Sequence, residues 1–342
     1  METVLTQSAI HSTFHVGELS EIAAARRAAA EMARRLGFSE TRAGRLAIVV
    51  TEAATNIVKH AREGEILMRP VDVNGQCGVE VLAIDTGPGM ANLDLLMADG
   101  TSTAGTYGVG LGAIQRQSDS FDIYSAPGKG TVVMMMVWAL DGAAPQTGWE
   151  VGGVCLPIAG EDECGDNWGV SYHQSGICVV VADGLGHGPE AAVASTAAVG
   201  ASLDFDRGPP GARTTDAHAA LRSTRGAALA VVDIDSYVGK LVFCGVGNIA
   251  GSIAGGSTRR HLLSHNGIVG SNLRKVQEFE QPWDSASVLI LASDGINTRW
   301  ELSAYPGLVF RHASVIAAIL YRDFSRGRDD STVVVVREHA LP

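Results

Sequence analysis

Two different rhythms of apolar and polar residues run along this chain. Over residues 18–61 apolar positions recur every three to four residues, and Leu46, Val49, Val50, Ala53 and Ile57 share one helical face. The stretch 18–36, rich in Ala, Arg and Glu, predicts one helix stopped by Gly37. Ser39 is placed to cap a second helix reaching about residue 61. Strand-like runs follow at 65–69, 78–84, 121–125 and 131–140, with a glycine-rich stretch at 85–112 and a short helix predicted at 109–118. Helices beside antiparallel strands predict an α+β layer, not repeating βαβ units. Beyond residue 149 the rhythm turns strand-rich. Strands are predicted at 151–158, 169–173, 177–182, 228–234, 241–246, 288–292 and 332–337, and helices at 189–203, 215–224 and 313–323, which together predict a sandwich of sheets covered by helices. The seam is the small-residue stretch DGAAPQTG from Asp141, so the expected organisation is a domain at 1–141, a linker at 142–148 and a domain at 149–342.

Composition narrows the function. A length of 342 residues suits two domains, and 46% hydrophobic against 18% charged residues excludes wholesale disorder. The net charge of −11 argues against a mainly phosphate-binding nucleic-acid protein. The longest apolar run, 132–140, falls far short of the ~20 residues of a spanning helix, and the first residues show no basic-then-apolar leader. Five cysteines without a CxxC pair read as reduced thiols. The expectation is a cytoplasmic protein with no nucleic-acid or membrane partner.

In the first half, Glu52, Asn56 and Lys59/His60 share a face of the second predicted helix. Alone this is a solvated helix face. Asp85 ends an apolar strand and is followed by Thr-Gly87-Pro-Gly89-Met, where a carboxylate can accept a hydrogen bond from an exocyclic amine and glycines let a flat ring approach. Gly108, Gly110 and Gly112 lead into a helix, a place suited to phosphate oxygens. GVGLGA also matches a dinucleotide fingerprint, but the segment before it is no strand, so that reading is rejected.

TEAATNIVKHA, DTGPGM, the GxGxG run and PGKGT, in this order, resemble the N, G1, G2 and final boxes of GHKL-type ATPases with the Bergerat α/β sandwich. Within that group they look most like switch-protein serine kinases and anti-sigma factors of bacterial partner-switching systems. The resemblance covers about 10–140. It implies that ATP binds with Mg²⁺ held by Asn56, that Glu52 accepts the proton of the attacking hydroxyl, and that Asp85 reads the adenine amine with Gly87 and Gly89 making room. Gly108, Gly110 and Gly112 would wrap the phosphates, Thr131 would line the adenine side, and Lys59 would aid a phosphate or face solvent; His60 is taken as structural.

In the second half, VADGLGHG with Asp183, LASDG with Asp294 and GRDDST with Asp329 and Asp330 place carboxylates beside glycines at strand ends, where they can converge on hard cations. With CGDNW, RGAALAVVDID, FCGVGN and SHNGIVG, these motifs resemble the metal-dependent PPM phosphatases of the sporulation and stress-regulator branch, an α-β-β-α sandwich. The resemblance implies that Asp183 bridges two Mg²⁺ or Mn²⁺ ions with the Gly184 carbonyl on one, that Asp294 and Asp329 complete the first metal, and that Asp166 acts through water. The paired cations would activate water for in-line attack on phosphoserine. Asp330 is expected behind the ligands, His187 at a helix start, and the substrate-phosphate arginine among Arg213, Arg222 and Arg225.

Both halves therefore imply one expectation: an ATP-dependent serine kinase joined to an opposing phosphoserine phosphatase, acting on a STAS-domain antagonist or stressosome-like scaffold protein. The alternatives are an anti-sigma factor that holds a sigma factor, or a catalytically silent ATP-sensing module, each fused to the phosphatase.

Overall fold

The computed structural model describes residues 4–5, 10–91, 107–142, 145–203, 208–255 and 258–339. The contacts form two compact units, one of 11–145 with 310–319, the other of 1–10, 146–309 and 320–342. A two-residue strand, β1 (Val4–Leu5), opens the chain and belongs to the second unit.

The first unit is a helical layer on a five-stranded antiparallel sheet. Helices α1 (Leu19–Arg35) and α2 (Glu40–Asn56) follow strand β2 (Ser12–Val16). Strands β3 (Gly64–Val73) and β4 (Gln76–Asp85), helix α3 (Tyr107–Gln117), and strands β5 (Ser120–Ser125) and β6 (Thr131–Trp138) complete it, in sheet order β2-β3-β4-β6-β5. The helix starts follow local chemistry. The Gly17 and Glu18 amides donate to Glu21 Oε2 at 2.5 and 2.9 Å, and the Arg42 amide donates to Ser39 Oγ. The face predicted for α2 packs on the sheet: Leu46, Val49, Val50 and Ala53 are buried with Ile66, Val81 and Val133.

Helix α2 is shorter than the sequence predicts. Its last turn opens into a π-helical turn over Ile57–Ala61, closed by Arg62 at a φ of 75°. The cause lies beneath it. Gly64 begins β3 so close that a Cβ there would stand 2.4 Å from the Ile84 carbonyl oxygen and 2.9 Å from Ile57, so the chain unwinds to enter the sheet.

Two buried charges tie the unit. Glu80, on the sheet face away from α1 and α2, accepts from Arg69 Nε at 2.8 Å and Ser314 Oγ at 2.6 Å. Burial pushes its carboxyl up, but the pull of Arg69 and of the nearby His11, 3.8 Å away, prevails and holds it well below the usual range. Arg42, on α2, is 2% exposed; its Nε donates to the Trp138 carbonyl at 2.7 Å and its Nη2 pairs with Asp119, whose other partner is the Trp138 amide at 2.7 Å. One guanidinium thus fastens α2 to the end of β6.

The second unit packs two antiparallel sheets face to face. One runs β1-β8-β9-β10-β11-β14, with β8 (Asp166–His173), β9 (Gly176–Gly184), β10 (Ala227–Asp235), β11 (Lys240–Val246) and β14 (Phe279–Pro282). The other runs β13-β12-β15-β16-β7, with β7 (Trp149–Leu156), β12 (Ala250–Gly255), β13 (Thr258–Leu262), β15 (Val288–Ala292) and β16 (Ser331–Glu338). Val179, Val181, Val232 and Phe243 from the first sheet meet Leu289, Leu291, Val334 and Val336 from the second. On the outer face of the first, Val180 and Val231 pack against α4 (Pro189–Leu203) and α5 (Pro210–Ala220) through Ala198, Leu203 and Ala217.

Five strands have no counterpart among the predicted runs: β1, β2, β12, β13 and β14. The AGSIAG of β12 has little intrinsic strand preference and is made a strand by its neighbours β13 and β15. The Arg-rich β13 and the short β14 are edge strands. Helix α5 starts five residues before the predicted 215 because Pro210 sits at its first position, where a missing N–H costs nothing. All five cysteines are free. No helix of the described residues is long and apolar enough to cross a membrane.

Substituting Arg42→Met leaves Asp119 and the Trp138 carbonyl without their cation. Urea unfolding should show a loss of about 3–5 kcal/mol in the transition of the first unit. A loss below about 1 kcal/mol would mean the ion pair behaves like an exposed one.

Candidate functional sites

In the first unit the strand register does the placing. Asp85, last in β4, lies opposite both Gly64 of β3 and Thr131 of β6. Its Oδ1 accepts from the Gly87 amide at 2.8 Å and the Thr131 amide at 3.2 Å, so the carboxylate is fixed by backbone. The turn beyond it requires glycine: a Cβ on Gly87 would stand 2.7 Å from the Ala61 Cβ, and Gly89, at a φ of 66°, would meet the Ala126 carbonyl oxygen at 2.0 Å.

Asn56, Asp85, Gly89 and Thr131 line one cavity, walled by Ala53, Ile57, Ala83, Met90, Leu111 and Val133. An apolar slot with one anchored carboxylate and one amide is the form a flat, amine-bearing ring requires. Helix α3 closes its side, and a Cβ on Gly110 would stand 2.9 Å from Asn56 Oδ1. Gly108 lies in the first turn of α3 and Gly112 a turn further in, because the helix starts two residues earlier than predicted. Glu52 sits half-buried one turn before Asn56, and Lys59 is exposed in the π turn; neither lines the cavity. His60 does line it, and burial followed by the charge of Lys59 lowers its pKa. Residues 92–106, the middle of the predicted glycine-rich stretch, lie outside the described residues.

In the second unit four strand ends bring the predicted acids to one edge of the sandwich. Asp166, first in β8, lies directly opposite Asp183 near the end of β9. Asp294 follows β15, and Asp329 precedes β16, the neighbour of β15. Burial, then the Asp294 carboxylate, push Asp183 up to about 7, with Asp329 and Asp330 adding to the shift. Asp166 is raised well above the carboxylate range, first by burial and next by Asp183. Its Oδ2 is buried and accepts no hydrogen bond among the described residues. Oxygen donors whose charges lift the Asp183 and Asp166 carboxyls, one of them orphaned, fit a hard divalent cation. Among the described residues no three His, Cys, Asp or Glu side chains stand close enough together to hold a metal ion by themselves.

The backbone around the acids is fixed. Gly184 donates to the Gly165 carbonyl at 3.0 Å, and a Cβ on it would meet the Ala191 carbonyl oxygen at 2.1 Å. Asp330 accepts from the Ile158 amide at 2.7 Å and the Gly165 amide at 2.8 Å, which fastens the loop before β8 to the start of β16. His187, just before α4, pairs with Glu161 at 2.7 Å. Of the three arginines, Arg213 is 2% exposed and bound to the Gly208 and Ser202 carbonyls inside the unit. Arg225 is half-exposed, pairs with Glu190 and lies beside Gly186 of the Asp183 loop, while Arg222 is exposed.

The sequence reading gave no role to Asn248, whose Nδ2 donates to Asp294 Oδ2 at 2.8 Å. The signal was present in FCGVGN, where Gly247 follows an apolar strand and directly precedes a polar residue.

Comparison with known proteins agrees with this division. Residues 16–137 match the family of histidine kinase-like ATPase domains, and residues 173–339 match the stage II sporulation protein E (SpoIIE) family. The chain is 35% identical over 118 residues to the serine/threonine-protein kinase RsbT of Bacillus subtilis (strain 168), a match covering 34% of this chain and 89% of RsbT. Among solved structures it is similar to one from work on the bacterial stressosome as a modular system adapted to control secondary messenger signalling, with 29% identity, a TM-score of 0.52, and 55% of this chain and 99% of that one covered. It is similar in fold to RsbX, solved in complex with magnesium, at 21% identity and a TM-score of 0.51 over 56% of this chain and 96% of RsbX.

The Asp183 carboxyl, raised from 3.8 to about 7, sets a pH signature. The metal-free folded protein holds a proton there that the unfolded chain releases at lower pH. That stability is fully present below the unfolded value and is lost as pH rises through about 7. The melting temperature of metal-free protein should therefore fall between about pH 5 and pH 8. A fixed Mn²⁺ concentration, about 100 times the dissociation constant at pH 8, should add about 2.7 kcal/mol there, about 5–10 °C, and less at pH 5, where the proton competes. Differential scanning calorimetry with and without EDTA checks this; an equal Mn²⁺ gain at both ends would contradict it.

Proposed function

We propose that this chain, which belongs to the RsbT kinase family in its first half and carries a SpoIIE-type PPM phosphatase domain in its second, sets the phosphorylation state of a serine or threonine on a STAS-domain antagonist or stressosome-like scaffold protein by adding and removing the same phosphoryl group. We take the domains as 1–141 and 149–342, joined by 142–148. The observation that carries this reading is the pairing in one polypeptide of a cavity lined by Asn56, Asp85 and Thr131 with an edge where Asp166, Asp183, Asp294 and Asp329 gather. A tether of this kind gives both activities a high effective concentration toward one substrate.

In the kinase reaction Asp85 accepts the adenine amine, its position fixed by the Gly87 and Thr131 amides. Gly87 and Gly89 leave the ring room, and the apolar walls hold its faces. Asn56 presents Oδ1 to the Mg²⁺ of the nucleotide, which when bound neutralises the phosphate charge. Glu52, one turn earlier on α2, takes the proton of the incoming hydroxyl. Gly108, Gly110 and Gly112 let α3 approach the phosphates, and Lys59 serves as a solvent-side cation.

For the phosphatase reaction Asp183, the Gly184 carbonyl, Asp294 and Asp329 would hold the metal ions, with Asp166 behind them. When bound, Mg²⁺ or Mn²⁺ supplies Lewis acidity and lowers the pKa of water for attack on phosphorus. This chain's own contribution is to hold the acids in place: Asp330 fixes the loop carrying Asp166 by its two backbone bonds, and Gly184 allows α4 to close in.

Incubation with ATP, Mg²⁺ and a STAS-domain substrate tests the pair. Asp183→Asn should let phosphoserine accumulate at least about tenfold above the unmodified enzyme, and Glu52→Gln in that background should abolish it. Absence of phosphoserine even in Asp183→Asn would retire the kinase reading in favour of ATP sensing or sigma-factor binding. Asp294→Asn should lower Mn²⁺-dependent aryl-phosphate hydrolysis about a hundredfold or more, the several kcal/mol that metal catalysis supplies. Undiminished turnover would remove Asp294 from the site.

A further inference from the structure

The acids of the second unit come from different sheets. Asp166 and Asp183 belong to the six-stranded sheet, through β8 and β9, whereas Asp294 and Asp329 flank β15 and β16 of the five-stranded sheet. Packed sheets stand ~10 Å apart, so a shared ion between them needs something to fix the span. A segment that crosses from one sheet to the other at this edge can supply it. Residues 247–249 are such a crossing: β11 of the first sheet ends at Val246 and β12 of the second begins at Ala250.

The register aims the crossing at the acids. On the far side, Ala250 pairs with Ala292, so two residues further out Asn248 stands opposite Asp294. On the near side, Val246 pairs with Leu229, and Ala228 pairs with Asp183. Gly247 makes the turn, at a φ of 96°, and a Cβ there would stand 2.5 Å from the Ala228 Cβ. The Asn248 side chain donates from Nδ2 to Asp294 Oδ2 at 2.8 Å and holds the neighbouring Asp183 carboxyl down against the other acids.

We propose that Asn248 is the positioning residue of the metal site, a neutral strut that joins Asp183 of one sheet to Asp294 of the other and holds them at the separation the cations require. A neutral donor suits this place. A cation here would compete with the metal, and a further carboxylate would add to the repulsion among the acids. This assignment rests on the metal-site reading and adds to it a residue that touches the ligands rather than the ion. Partners that orient ligands typically carry 10–100-fold in metal affinity.

The test uses the full-length protein with Mn²⁺ alone as the probe, by isothermal titration calorimetry, on the unsubstituted chain, Asn248→Ala and Asn248→Leu. Both variants lack the N–H donors, and Asn248→Leu keeps the branched shape of the side chain. We expect the Mn²⁺ dissociation constant to rise about tenfold or more in both, while the EDTA-treated melting temperature stays within about 2 °C, since an exposed hydrogen bond contributes little. Aryl-phosphate hydrolysis should recover toward the unsubstituted rate at saturating Mn²⁺, because the strut acts on occupancy. A dissociation constant within twofold of the unsubstituted protein, or a tenfold loss of hydrolysis that saturating Mn²⁺ does not restore, overturns the assignment while leaving the metal site standing. No Mn²⁺ binding by the unsubstituted chain overturns both.

Discussion

Repulsion between like charges is the constraint on which the second half of this protein is built. Asp166, Asp183, Asp294 and Asp329 are drawn from four strand ends to one edge, and burial together with mutual repulsion lifts Asp183 and Asp166 far from the usual carboxylate range. Nothing in the acids themselves favours that arrangement. It is imposed by the frame: the Asp166–Asp183 register, the two backbone bonds of Asp330, and the close approach of Gly184 to α4. A fold that spends stability to gather charge of one sign has prepared a place for the opposite sign, and hard divalent cations are what oxygen donors of this kind accept.

The first half meets a different demand with different means. A purine offers faces and edges rather than charge, and the cavity answers with apolar walls and one carboxylate that two backbone amides immobilise. Close packing does the rest. Gly87, Gly89 and Gly110 each stand where a Cβ would strike the Ala61 side chain, the Ala126 backbone or Asn56, so the glycines that mark the motif in sequence are the contacts that shape the slot. The buried Arg42 and Glu80 belong to this unit as struts, paired and hydrogen-bonded, and carry no part of the chemistry.

What could be read from sequence followed where local chemistry decides. The amphipathic face of α2, the Ser39 cap, the strand ending at Asp85 and the three acidic turns were legible because periodicity, caps and glycines act over a few residues. The π turn at Ile57–Ala61 was not, since it follows from the packing of Gly64 against Ile84 and Ile57. Strand β12 is imposed by its neighbours, and the crossing at Asn248 acquires meaning only when two sheets are laid together. The three candidate arginines could not be separated by motif. Burial sets Arg213 apart as a core residue, bound to carbonyls of its own unit.

The central claim is that one polypeptide carries a nucleotide slot and a paired-cation site built from the residues named. Diffraction from crystals of the full chain grown with Mn²⁺ and an ATP analogue, recorded at the manganese absorption edge, tests it most directly. The account predicts anomalous peaks bounded by Asp183, Asp294 and Asp329, and a purine whose exocyclic amine meets Asp85 beside Thr131. Manganese bound away from these acids, or a nucleotide outside the cavity of Asn56 and Asp85, would contradict it.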